Sequence, residues 1–268
     1  MEEIYEEILK IKEKGENAVL ATIISVKGST PREEGSKMLI KSDGTISGSI
    51  GGGSLEGQVI TKAVRIIKEG GNPGVLKFDL TGVDAAKEGM ICGGTMEVFL
   101  EPIMSAPNLY IFGGGHISLT LAKMAKMVGF RITVIDDRDS FANKDRFPEA
   151  DEIYAKDFKV ILTEIKPKKP YYIVIVTRGH IHDEIVLEWA VKKEPAYIGM
   201  IGSRSKNHTV FSHLEEKGIG KDRLSFVHAP IGIDIKAQTP EEISVSILAE
   251  LIKIKREVEG PKKKNWKV

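Results

Sequence analysis

Residues 109–138 read LYIFGGGHISLTLAKMAKMVGFRITVIDDR, and the fold class follows from them. A short apolar, β-branched and aromatic run stops at Gly113-Gly114-Gly115-His116, an amphipathic stretch over 118–128 begins at once, and Gly129 leads into a second apolar run over 131–136. Strand, glycine turn, helix, strand is the opening of a Rossmann-type unit. Gly113 permits the tight turn, and Gly115 lets backbone N–H groups approach a pyrophosphate at the positive end of the helix. Gly114 and His116 complete the turn. An acidic residue is expected about 20 positions on, at the end of the next strand, to hold a ribose hydroxyl; Asp136 stands 23 positions after Gly113. Ser118 occupies the third glycine position of the fingerprint, so a side chain there has to fit between helix and sheet.

The same rhythm continues toward the C-terminus. Strand-like runs at 171–176 (YYIVIV) and 196–201 (AYIGMI) alternate with helical periodicity over 184–191 and 206–217. Such alternation predicts a parallel sheet with helices on both faces. Thr239-Pro240-Glu241-Glu242 is an N-cap, a proline at the first helical position and a glutamate at the third, opening a last helix that runs to about Lys255. The basic ending, 260–268, reads as a solvated tail.

Ligands of open α/β sheets bind beyond the carboxyl ends of the strands. Two further loops fall on that edge. In Thr177-Arg178-Gly179-His180-Ile181-His182-Asp183, the residues Arg178, His180 and Asp183 would point into the same crevice as the Gly113 turn. The two histidines and the aspartate suit part of a metal site; equally, Asp183 caps the following helix and His180 bonds backbone. In 199–206, Ser203 and Arg204 form another small-residue and cation turn.

Upstream, EPIMSAPN at 101–108 reads as a linker, dividing the chain into 1–105 and 106–268. The first part predicts a small α+β domain: helices over 2–14 and 54–68, and strands at 18–25, 37–41, 45–50, 75–80 and 95–100. Gly51-Gly52-Gly53 again joins a strand to a helix, and a glycine string carries an entropic cost that unusual dihedrals or a close ligand repay, so it is either an anion cradle or a structural turn. Gly28-Ser29-Thr30-Pro31-Arg32 is a turn ending in a cation that could pair a phosphate. Cys92, the single cysteine, is either a small buried hydrophobe or, beside Gly93 and Gly94, an accessible thiol suited to a soft metal or to carrying sulfur.

With 39 Lys+Arg against 38 Asp+Glu, the chain has no global field to attract nucleic acid or an anionic membrane. No stretch approaches the ~20 apolar residues that span a bilayer. One cysteine and an acidic start, MEEIYEEILK, argue against secretion and point to the cytoplasm. A homodimer is permitted and not required.

Seven segments in one order resemble the xanthine dehydrogenase accessory protein family, XdhC/CoxI, over nearly the whole chain: GSTPREEGSKM (28–38), GSIGGGSLE (48–56), CGG (92–94), FGGGHIS (112–118), TRGHIHD (177–183), GMIGSRSK (199–206) and HAPIGIDIKAQTPEEI (228–243). The resemblance implies a maturation factor more than a turnover enzyme. Such a factor binds the molybdenum cofactor, as molybdopterin or its dinucleotide form, while a cysteine desulfurase supplies the sulfido ligand, and delivers it to a molybdenum hydroxylase apoenzyme. On that reading the cofactor contacts fall to Gly51, Gly52, Gly53, Gly113, Gly114, Gly115, His116, Asp136, Arg178, His180, Ser203 and Arg204, and Cys92 lies near sulfur or molybdenum. The residues by themselves leave open an NAD(P)-dependent oxidoreductase or an NAD-sensing module, since a fold hosts many functions.

Overall fold

The computed structural model describes residues 2–69, 72–80, 93–167 and 169–258. They form two compact units, divided between Ser105 and Ala106.

The first unit contains α1 (Glu2–Glu13), β1 (Ala18–Lys27), β2 (Lys37–Lys41), β3 (Ile46–Gly48), α2 (Gly53–Glu69), β4 (Gly74–Asp79) and β5 (Thr95–Ile103). The strands pair antiparallel in the order β3-β2-β1-β5-β4. β1 is apolar without alternation because both its faces are covered. Val19, Ala21 and Ile23 pack with Leu55, Val59 and Ala63 of α2, while Ala18 and Leu20 pack with Ile4, Ile8 and Ile11 of α1. The expected linker is corrected here: residues 101–103 belong to β5 and pair with β1. Pro102 is tolerated because β4 reaches only to Leu100, so β5 has a neighbour on one side at that point. The strand expected over 45–50 stops at Gly48, whose φ of +81 turns the chain away.

The second unit contains β6 (Asn108–Phe112), α3 (His116–Met127), β7 (Arg131–Asp136), β8 (Glu152–Ala155), α4 (Phe158–Glu164), β9 (Tyr171–Ile175), α5 (His180–Ala190), β10 (Tyr197–Met200), α6 (Arg204–Glu216), α7 (Lys221–Leu224), β11 (Val227–His228) and α8 (Pro240–Val258). All strands are parallel, ordered β11-β10-β9-β6-β7-β8. Counted from β6 this is 3-2-1-4-5-6 read from the β8 edge, the dinucleotide-binding order, with its switch point between β6 and β9. Phe112, Ile173, Ile175 and Met200 face α4, α5 and α6. Ile111, Val134 and Val174 face α3 and α8 on the other side. The fold is therefore α/β with a Rossmann-type sheet and a smaller α+β unit before it. The cap expected at α8 is present: Thr239 Oγ1 accepts from the Glu242 N–H at 3.2 Å, and Glu242 Oε2 accepts from the Thr239 N–H at 3.1 Å. Among the described residues, no helix is long and apolar enough to cross a membrane.

Candidate functional site

The carboxyl edge of the second sheet is organised by the Gly113 turn. Gly113 has a φ of +108, and a Cβ there would press on the Val176 carbonyl oxygen and lie 2.9 Å from Thr177 Cα. Gly114 is held as tightly on its other side, where a Cβ would overlap the Phe141 carbonyl oxygen. Both glycines are thus required by packing. Gly115 differs: it precedes α3 with no side-chain cap, and a Cβ on it would meet nothing within 4 Å. An uncapped helix start beside open space is where an anion is best received, since the first-turn amides and the helix dipole both favour it. Ser118 is fully buried and donates its hydroxyl to the Gly113 carbonyl oxygen at 2.5 Å. The side chain that departs from the fingerprint is therefore part of the turn's own bonding.

Asp136, expected to hold a ribose hydroxyl, is committed internally. Its Oδ2 accepts from the Gly114 N–H at 2.7 Å and Arg138 Nη2 at 3.0 Å, and its Oδ1 from Arg138 N at 3.1 Å and Nε at 2.8 Å. The residue is 1% exposed. Burial pushes the carboxyl's pKa up, but the Arg138 and Gly114 donors outweigh it and hold it below the usual carboxylate range. Asp136 therefore braces the turn, and in this arrangement its four acceptor positions are taken. Arg138 also lies 3.5 Å over the Phe141 ring centroid, and Arg146 donates to the Gly114 carbonyl oxygen at 3.2 Å.

On the neighbouring loops, Arg178 and His180 are exposed, Arg178 reaching Asp137 Oδ2 at 2.8 Å. Asp183 is fully buried. It accepts from Thr177 Oγ1 at 2.6 Å, from the Thr177 N–H at 3.2 Å and from Lys206 Nζ at 2.5 Å. It does not cap α5, whose N-cap is Gly179; it ties the end of β9 to the first turn of α6. His182 packs on the Phe158 ring with centroids 5.2 Å apart, so the metal alternative for His180, His182 and Asp183 is not assembled. Among the described residues, no three His, Cys, Asp or Glu side chains could jointly hold a metal. Ser203 caps α6, accepting from the Lys206 N–H at 3.2 Å, and Arg204 is exposed. Lys206, the last residue of that cation turn, contributes more than its position in the sequence indicates. Its partner Asp183 lies 23 residues away, and only its place after a Gly-Ser-Arg turn hinted at a role.

The second glycine cluster behaves otherwise. Gly51, Gly52 and Gly53 all have positive φ, 141, 81 and 64°. Glu56 Oε1 accepts from Ser49 Oγ at 2.7 Å, the Ile50 N–H at 2.9 Å and the Gly51 N–H at 3.3 Å. The Gly51 amide, one of those expected to cradle an external anion, and the Ile50 amide before it thus already bind the chain's own carboxylate. Burial raises the pKa of Glu56, but the donors from Ser49, Ile50, Gly52 and Gly51 leave it below the ordinary range. Near Gly28, Thr30 Oγ1 donates to the Arg32 carbonyl oxygen at 2.9 Å, and Arg32 is exposed. Cys92 lies outside the described residues.

Comparison with known proteins agrees with this layout. The family model of the XdhC Rossmann domain matches residues 109–251, and that of the XdhC and CoxI family matches residues 11–79. The chain is 31% identical to YqeB of Escherichia coli K12, described as an uncharacterized protein, over 96% of this chain and 47% of that one. It is 30% identical to a protein of Bacillus subtilis 168 described as a probable xanthine dehydrogenase subunit, over 61% of this chain and 48% of that one. The chain thus spans about half the length of these two relatives. It is 22% identical to the molybdenum cofactor insertion chaperone PaoD of Escherichia coli K12, over 90% of this chain and 84% of that one. A solved structure titled as a xanthine dehydrogenase from Bacillus halodurans superposes with a TM-score of 0.52 at 26% identity, covering 94% of this chain and 95% of that one.

Proposed function

The chain belongs to the XdhC family, and from that premise we propose that it binds the molybdenum cofactor and hands it to a xanthine dehydrogenase-type molybdenum hydroxylase. The observation that carries this reading is the uncapped start of α3 beside open space at Gly115, on a turn whose other two glycines are fixed by packing. Molybdopterin ends in a phosphate, and its dinucleotide form carries a pyrophosphate that joins the pterin to a nucleoside. Either fits a helix start with free first-turn amides. The name of PaoD supports insertion as the task, and the names of the Bacillus relatives, which mention xanthine dehydrogenase, support the kind of client.

In this reading the protein's residues bind and shield while the cofactor carries the redox chemistry. Gly115, His116 and the first turn of α3 receive the phosphate, and Arg178, Ser203 and Arg204 line the neighbouring strand ends. Sulfuration by a cysteine desulfurase during this residence, and a cytoplasmic setting suited to a lone thiol, complete the proposal. The same turn suits the pyrophosphate of NAD(P), the basis of the oxidoreductase alternative.

Uptake and transfer test the proposal together. Apo-protein is incubated with molybdenum cofactor, separated from free ligand, and mixed with hydroxylase apoenzyme. The expected result is uptake of up to one cofactor per chain and recovery of hydroxylase activity, with no oxidation of NADH by small carbonyl substrates. Nicotinamide turnover without pterin uptake would overturn it.

A further inference from the structure

On the premise that the Gly113 turn receives a phosphate, we infer that the Arg178–Asp137 ion pair is a strap across that turn, opened when Arg178 exchanges the Asp137 carboxylate for the phosphate. β6 lies between β9 and β7 in the sheet, and it runs into the glycine turn. Asp137 directly follows β7, and Arg178 follows the last residues of the β9 loop root, Val176 and Thr177. Their 2.8 Å contact therefore spans the end of the strand between them. The root of Arg178 is also the wall of the turn, since Gly113 packs against the Val176 carbonyl and Thr177 Cα.

Three features mark this pair as exchangeable. The Arg178 side chain is 55% exposed, so water and salt weaken its hold on Asp137. Asp137 keeps a second cation, because Arg138 Nε is 3.7 Å from its Oδ1 and stays when Arg178 leaves. That Oδ1 is buried without a hydrogen-bond donor, so Asp137 is not locked into a network as Asp136 is. The nearby Lys206–Asp183 pair is the contrast: its carboxylate is fully buried and also bonded to Thr177, so it holds the edge together. A guanidinium offered a phosphate forms charge-assisted, often bidentate bonds, stronger than one screened contact to a carboxylate.

A double-mutant cycle on the full chain, read by calorimetry with inorganic pyrophosphate, tests the strap. Pyrophosphate has no ribose, so a sugar contact does not enter. Asp137→Asn should tighten binding about fourfold when Arg178 is present, the worth of a partly exposed ion pair. In the Arg178→Met background the same change should tighten it by less than about twofold, because no strap remains to be broken. Equal effects in both backgrounds, or a weakening by Asp137→Asn, would overturn the strap, since a carboxylate acting only through its field changes affinity equally with or without Arg178. Thermal melts of each variant confirm folding. If pyrophosphate binds neither wild type nor Asp137→Asn, the phosphate reading of the turn itself fails, which the cycle separates from failure of the strap alone.

Discussion

The glycine clusters at 51–53 and 113–115 look alike as sequence, each joining a strand to a helix, and they part in what surrounds their amides. At 51–53 the following helix turns its own Glu56 back onto the Ile50 and Gly51 N–H groups. At 113–115 the following helix supplies no cap, and the acid that does arrive, Asp136, takes only the Gly114 N–H. A glycine string therefore says that backbone comes close to something. Whether that something is the chain itself or a ligand depends on an acceptor supplied from elsewhere in the fold.

Packing separates the two clusters most strongly. Gly113→Ala should cost about 3 kcal/mol, combining a Cβ forced against the Val176 carbonyl with a left-handed backbone. Gly52→Ala has open space and should cost only about 1 kcal/mol, from its positive φ alone. Urea titration of both variants gives the comparison, and equal losses would erase it.

Next comes the internal anion. Glu56→Gln should destabilise by about 1.5 kcal/mol at neutral pH, the scale of hydrogen bonds to a charged group, and leave pyrophosphate affinity unchanged. Glu56 has a folded pKa below its ordinary 4.5, so its stabilisation is complete above that value and lost as pH falls through the lower folded one. The gap between wild type and variant should therefore close in acid melts; a gap that widens would contradict the assignment.

Gly115→Val gives the complementary result. It should weaken pyrophosphate at least about tenfold, roughly 1.4 kcal/mol, by filling the space over the helix start, with stability little changed. Ser118→Ala should cost about 1 kcal/mol of stability, the worth of one buried hydroxyl bond to Gly113. Calorimetry and denaturant melts respectively check these.

Much of the fold was legible because its longer elements carry a clear period. The β7 strand was readable to its ends, and β6 and α3 nearly so, because apolar runs and glycines bound them. β8, α7 and β11 were not, being 4, 4 and 2 residues long, too short to show any period. The start of α5 was missed because His180 is polar and exposed and Ile181, though apolar, is exposed and out of step with the buried Val186, Leu187 and Ala190. At the site, the turn and its edge loops could be located, but not the occupancy of their polar groups. Asp136 lies at the position a ribose acid should hold, and only the structure shows Arg138 and Gly114 filling it. Lys206 and Asp183 are joined by folding alone.

One comparison of ligands decides whether the Gly113 turn, and not the Gly51 loop, holds the phosphate of a molybdenum cofactor. Wild type, Gly115→Val and Glu56→Gln are each purified from a molybdenum-sufficient host, and the ligand released on denaturation is identified by mass spectrometry. A pterin phosphate or pterin dinucleotide is expected from wild type and Glu56→Gln, and none from folded Gly115→Val. Pterin retained equally by Gly115→Val, or lost only from Glu56→Gln, would contradict that placement.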